Sequence, residues 1–348
     1  MPRVSILLFM PLLFTLGCSP DVTLNDDIDL EFDFFMTPSN HLNTPYVLGA
    51  EIRISAVDDD GEHDRWRLRS ADDMVFRTLD ARPGATTFLA ASAGKTSIRA
   101  TPAGGSAFNA GRVEVASPDR VTVTPHGPLI IGRREPPVQG AVHVLIGGRA
   151  TFLVRYFSGQ RELHGNGVLS ATSSSDITIT PRTTFLFERR EWLTVSPQKP
   201  GRHVVRLFAA GRAVGELTVI GVGDDAIEAF ALAAESERGA KNGHLLTILA
   251  EAFDIDGNSI LGIEPEWELD GLEQFGEGDL FRYTFDRGSS RRVSAHLGPH
   301  ESQATIRAED GFVASSNDIG CAGGTQAMGA SLIACMLLLY RVRSRRVA

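Results

Sequence analysis

Two acidic turns are the first places in this chain where side chains could act together: Asp58-Asp59-Asp60-Gly61 and Asp254-Ile255-Asp256-Gly257-Asn258. Carboxylates one residue apart can share a hard cation, so Asp58, Asp60, Asp254 and Asp256 are the candidate metal ligands, with calcium the cation they would suit. Neither turn carries the glycine at position six or the glutamate at position twelve of a helix-loop-helix calcium site, and Asp-Gly between strands is an ordinary hairpin turn. The turn reading leads, and no metal or cofactor is expected. His296 and His300 are the only close pair among nine histidines. Gly298-Pro299 between them forbids a shared helical face, which leaves two exposed turn residues. Glu264 and Glu266 flank Pro265 on a strand, and sequence adjacency does not give the converging carboxylates a glycosidase needs. Gly221-Val222-Gly223 follows a strand, but Asp224 and Asp225 stand where a pyrophosphate requires bare amides, so it reads as a linker. There is no Gly-x-Ser-x-Gly elbow and no His-Glu-x-x-His pair. The chain therefore reads as a non-enzyme with no catalytic residue.

The remaining reactive groups are at the two ends. The three cysteines are Cys18, Cys321 and Cys335, and residues 19–320 hold none. Export without disulfides leaves core packing to hold the middle. After Arg3, residues 4–16 form an apolar run of about 13 residues, long enough for a secretory signal and too short to span a membrane. Thr15-Leu16-Gly17-Cys18 closes it and resembles the lipobox of bacterial lipoproteins, with Thr15 and Leu16 in the reverse of the usual order. The resemblance implies lipidation at Cys18 and an outer-membrane or cell-surface destination. At the other end, Cys321 opens an uncharged stretch to Tyr340, followed by Arg341, Arg343, Arg345 and Arg346. Cysteine, Gly-rich spacer, short apolar helix and Arg-rich tail are similar to the C-terminal sorting signals of myxobacteria called MYXO-CTERM. That resemblance implies processing at Cys321, with a permanent single-pass anchor as the alternative.

What must position anything in the middle is a set of repeats. Gly49, Gly147 and Gly243 each open an alternating strand, about 97 residues apart, and each strand reaches a turn rich in Asp, Gly or Ser. A second echo joins Gly94–Ala100, Gly201–Leu207 and Ser302–Ala308, and closing strands follow the first two at Val113–Val115 and Leu217–Ile220. Alternation at this period reads as antiparallel sandwiches. Of 348 residues, 43% are hydrophobic and 22% charged, which describes globular domains, and a formal charge of −9 argues against a nucleic-acid partner.

A glycine-led alternating strand, then Asp-x-Asp-Gly-Asn, then Trp267 and a later Thr-Ile-Arg-Ala resembles bacterial immunoglobulin-like (Big) domains, which occur in tandem in surface proteins and adhesins. The expected fold is all-β: three tandem immunoglobulin-like sandwiches at 21–116, 118–221 and 222–317, between a signal peptide with lipobox (1–18) and a C-terminal hydrophobic sorting or anchor segment (321–348). The three are expected to be joined end to end, with Trp66 and Trp267 buried. The middle unit departs from the pattern: its tryptophan, Trp192, lies on a late strand, and an insertion rich in Pro and Arg (Gly132–Pro137) precedes its first repeat. Asp225–Ala240 has a helical composition, while the repeat register asks for a first strand there. The implied function is a non-enzymatic envelope lipoprotein, a structural spacer or adhesin. The alternative is an envelope protein binding a glycan or calcium at its loop ends. Its partners would be the membrane and, outside, another surface protein or a glycan.

Overall fold

A computed structural model of the chain describes residues 22–26, 42–58, 66–131, 136–183, 190–236, 244–285 and 289–307. The signal peptide, Cys18, Asp60, Cys321 and the whole C-terminal segment lie outside them. Among the described residues the chain is all-β, with one five-residue helix, and no helix is long and apolar enough to cross a membrane.

The first unit contains β1 (Val22–Asp26), β2 (Tyr46–Val47), β3 (Glu51–Asp58), β4 (Trp66–Ser70), β5 (Phe76–Arg82), β6 (Ala85–Ala90), β7 (Gly94–Pro102) and β8 (Phe108–Ala116). They form two four-stranded sheets, β1-β3-β6-β5 and β2-β8-β7-β4. Alternation decides the faces: Ile52, Ile54 and Ala56 of β3 are buried, as are Trp66 and Leu68 of β4. Tyr46, Phe76 and Phe88 stack in series between the sheets, at ring separations of 5.6 and 4.8 Å.

The middle unit contains β9 (Arg120–Pro125), α1 (His126–Ile130), β10 (Ala141–Leu145), β11 (Ala150–Ser158), β12 (Arg161–Leu163), β13 (Leu169–Thr172), β14 (Ile177–Arg182), β15 (Trp192–Pro197), β16 (Gly201–Ala209) and β17 (Arg212–Val222). The third contains β18 (Ala229–Ser236), β19 (His244–Phe253), β20 (Ser259–Leu261), β21 (Glu266–Leu269), β22 (Leu272–Gln274), β23 (Leu280–Phe285), β24 (Ser290–Leu297) and β25 (His300–Arg307). Asp224–Ala226 make a single 3-10 turn and the chain then enters β18, so the repeat register prevails over the helical composition of 225–240. Pairing with β19 along its whole length supplies what local propensity does not. Trp66, Trp192 and Trp267 are all buried. Gly49 and Gly147 open their repeats with φ of +91° and +79°, a conformation a side chain would strain.

Two expectations need correction. The units are not joined simply end to end. The middle sheet β13-β16-β17-β10 runs on through β20 into β19 and β18, making one eight-stranded sheet with β23 beside β19. The sheet crosses the boundary because β10 pairs parallel with β17 on one side and with β20 on the other, His143 opposite Ile260 and Val144 opposite Leu261. The pairing is therefore not wholly antiparallel either, and β2 adds a further parallel pair with β8.

The first and middle units are joined by packing instead. Their buried apolar residues form one continuous cluster, from Leu24 to Val219. His164 is threaded between backbone groups of the first unit: its N–H donates to Pro45 O at 2.9 Å, and its carbonyl accepts from Val47 N at 2.8 Å. Gly165 beside it has φ of +122°, and a Cβ there would lie 2.7 Å from Ala50 Cβ.

Candidate functional site

The sequence-level candidates do not converge. Asp58 ends β3, and its partner Asp60 lies outside the described residues. Asp254 is committed to structure. Its Oδ1 accepts from the backbone N–H of Asp256 (3.0 Å) and Asn258 (2.8 Å), and its Oδ2 accepts from His143 Nδ1 at 2.8 Å and from Asn258 Nδ2 at 3.0 Å. Burial pushes this carboxyl up, but the hydrogen bonds from Asn258 and His143 outweigh it and hold its pKa below the usual carboxylate value. The turn is thus a clamp from the third unit onto β10. No group of three metal-ligating side chains forms among the described residues.

His296 and His300 are not exposed turn residues. They are half-buried on β24 and β25, with His296 opposite Glu301 and His300 opposite Leu297. Two Gly-Pro residues suffice to turn this hairpin, which puts both histidines on the strands. Glu264 and Glu266 are exposed, and Glu264 Oε1 accepts from Arg149 Nε at 3.2 Å. Gly221 and Val222 are not a linker: they are the last residues of β17, opposite Val144 and Leu145 of β10, and only Gly223 lies between that strand and the 3-10 turn.

The groups that do come together were not singled out in the sequence, and they lie at the two joints. Between the middle and third units is a cavity of about 310 Å³. One wall comes from the end of β9 and the start of α1 (Pro125, His126, Gly127), another from Arg149–Thr151, Arg182 and Thr194, and the third from Leu261–Gly262, Glu264 and Gly276–Leu280. His126 is buried edge-on against Trp192, with ring centres 5.1 Å apart. Burial and the nearby Arg282 charge lower its pKa to about 4, so the imidazole is neutral at physiological pH. Asp279 shows the opposite shift: burial and the Glu251 charge push it up to about 7. Below α1, Ile131 packs with Leu249 and Leu280 of the third unit.

A second cavity, of about 240 Å³, is lined by middle-unit residues alone, and its Tyr156, His164, Gly165 and Glu191 stand beside the first joint. Glu191 is only 3% exposed, and its Oε2 accepts from Val168 N at 3.2 Å. Burial raises its pKa, while backbone N–H groups of the 167–169 loop favour the ionised form. The neighbouring Tyr156 hydroxyl is held protonated, first by burial and then by the Glu191 charge. Glu191 therefore fixes the loop that seats Gly165 and Val168 on the first unit. The local sequence signals are faint: His126-Gly127-Pro128 breaks an alternating strand, Asp279 follows Gly276-Glu277-Gly278, and Glu191 closes the charged run Glu188-Arg189-Arg190-Glu191.

No protein-family profile and no curated protein matches the chain. Solved structures do. A crystal structure of the S-layer protein SbsC aligns at 14% identity and a TM-score of 0.34, over 86% of this chain and 40% of that one. The Escherichia coli adhesin FdeC aligns at 15% and 0.25, over 84% and 97%. Invasin, described as a bacterial integrin-binding protein, aligns at 11% and 0.24, over 82% and 59%. The chain spans about two fifths of the length of the longer S-layer structures it matches. At these identities and TM-scores the likeness carries no conclusion about the family or role of this chain.

Proposed function

We propose that this chain is a non-enzymatic structural spacer or adhesin of the bacterial cell envelope, exported by its N-terminal signal and lipidated at Cys18, with its C-terminal segment processed at Cys321. The division at 21–116, 118–221 and 222–317 is the unit plan of that reading. The observation that carries it is the bracing of both joints. A continuous core joins the first unit to the middle one, and a continuous sheet joins the middle unit to the third. Three sandwiches strung on free linkers would bend, whereas units sharing a core and a sheet keep a fixed separation between their ends, as a spacer must. Large apolar side chains left in water at turns, Met74, Ile255 and Phe275 among them, are available for contact with a partner surface.

Small-angle X-ray scattering of residues 19–320 tests the spacer. A single stiff particle is expected, and a profile requiring hinged units refutes it. Intact mass of the protein from its native envelope tests the anchors. A diacylated Cys18 and a chain ending near residue 321 are expected, whereas a species that retains Arg341–Ala348 leaves a permanent helix instead. The ligand-binding alternative is favoured by one observation, the cavity between the middle and third units.

A further inference from the structure

We infer that the cavity between the middle and third units is a binding site for an ammonium-bearing sugar residue, with the Asp279 carboxylate as the counter-charge for the amine. Its volume, about 310 Å³, sits at the small end of the roughly 300–1,000 Å³ range of ligand cavities and suits a single ring.

Charge selects the amine. Three carboxyl groups (Glu264, Glu277 and Asp279) and two guanidinium groups (Arg149 and Arg182) line the walls. Arg149 is already paired with Glu264 at 3.2 Å. Arg182 is exposed at the end of β14 and stays in water. His126 brings no charge, because burial and the nearby Arg282 keep it neutral. Among the described residues no cationic side chain forms an ion pair with Asp279, and its pKa is raised to about 7. Burial and the charge of Glu251 destabilise its ionised form, and a buried carboxyl in that state gains most from an incoming cation.

Placement is fixed by the backbone. Glu277 and Leu280 exchange N–H···O bonds, of 2.7 Å from Glu277 N and 3.3 Å from Leu280 N, around Gly278 with φ of +65°. This tight turn carries Glu277 and Asp279 on the cavity wall. Gly127 packs directly beside this carboxyl: a Cβ there would stand 2.9 Å from Asp279 Oδ2 and 2.8 Å from Leu249 Cδ1, so only a glycine leaves the group its place on the cavity wall.

The walls select a hydroxylated ring over a lysine side chain. Thr151 and Thr194, whose hydroxyls are hydrogen-bonded to each other at 3.0 Å, and the glycine backbone present hydrogen-bonding groups where a lysine stem would want an apolar sleeve.

The inference stands apart from the spacer reading, which survives its failure. Isothermal titration of residues 19–320 at pH 7 with glucosamine, N-acetylglucosamine and Nα-acetyl-lysine amide tests it. Glucosamine should bind, with the acetylated sugar and the lysine amide each at least tenfold weaker. Asp279→Asn should weaken glucosamine about tenfold or more, the usual effect of losing a charge-assisted pair. Glu277→Gln, at an exposed position that leaves the core untouched, should weaken it severalfold. No glucosamine binding, equal binding of the acetylated sugar or of the lysine amide, or unchanged affinity in both variants would each overturn the inference.

Discussion

Gly148 is the residue on which the joint between the middle and third units turns, and Gly148→Ala tests that. A Cβ there would stand 2.0 Å from the carbonyl oxygen of Gly262 and 2.9 Å from its carbonyl carbon, both backbone atoms that no rotamer can move aside. Restoring ordinary contact at about 3.4 Å requires the two segments to part by about 1.4 Å. That opening lengthens a ladder bond of about 2.9 Å beyond 4 Å, outside hydrogen-bonding range. The rungs between β10 and β20 and the 2.8 Å bond from His143 to Asp254 lie on the same seam. At about 1 kcal/mol per ladder bond, and about 1.5–3 for the bond to a charged group, the expected loss is roughly 3–5 kcal/mol. For a protein of this size that corresponds to about 6–15 °C in melting temperature. Gly223→Ala is the matched control, because its added Cβ meets only the Asp225 carboxylate, an exposed side chain that can swing away. It should cost less than about 0.5 kcal/mol. Differential scanning calorimetry measures both, and hydrogen exchange at Val144 and Leu261 reports whether the seam has opened. A Gly148→Ala protein that melts within 2 °C of the parent, with those amides still protected, would refute the close approach.

Further outcomes follow from the same joints. Gly165→Ala combines a strained φ of +122° with a contact 2.7 Å from Ala50 Cβ, and should lower the stability measured in urea by about 2–4 kcal/mol; a loss below about 1 would contradict the seating described. Asp279 is protonated up to about pH 7 when folded and only below about 4 when unfolded, so it makes stability fall as pH rises through that window. His126, near 4 when folded and about 6.5 unfolded, makes stability rise between those values. Asp279→Asn should therefore remove this group's fall in stability between about pH 4 and 7, and a urea-midpoint series unchanged by the substitution counts against the burial of this carboxyl. Millimolar calcium should not move the melting temperature, because both Asp254 oxygens are already bonded; a rise abolished by Asp254→Asn would reinstate a calcium turn.

The sandwich architecture was legible because its signals are local. Alternation over Glu51–Asp58 and Ala150–Ser158, a left-handed glycine ahead of each and tryptophans on inward faces are all written within a few neighbouring residues. Even the strand at Ala229–Ser236 could be read from the repeat period against its own composition. The joints were not legible, because they depend on pairs far apart in the chain. Nothing in residues 141–145 says that β10 will meet Ile260 and Leu261, nor does the His126 segment announce the third unit. The same applies to the cavity groups: Asp279 and Glu191 look like ordinary surface acids until partners from other strands remove their water. The segment from Asp254 to Asn258 turns between β19 and β20 as its Asp-Gly suggests, but its grip on His143 depends on a residue more than a hundred positions earlier.

The threading of His164 between Pro45 and Val47 has a consequence for the order in which the molecule can form. Synthesis runs from the N-terminus, so β1 to β8 emerge while the residues that cap their edge are still to come. Val47, Ala50 and Ile52, which Gly165 covers in the finished protein, stay accessible until more than a hundred further residues have followed. The first sandwich is thus sealed late, by a loop of its successor, and that delay sets the interval in which a chaperone could hold the chain open.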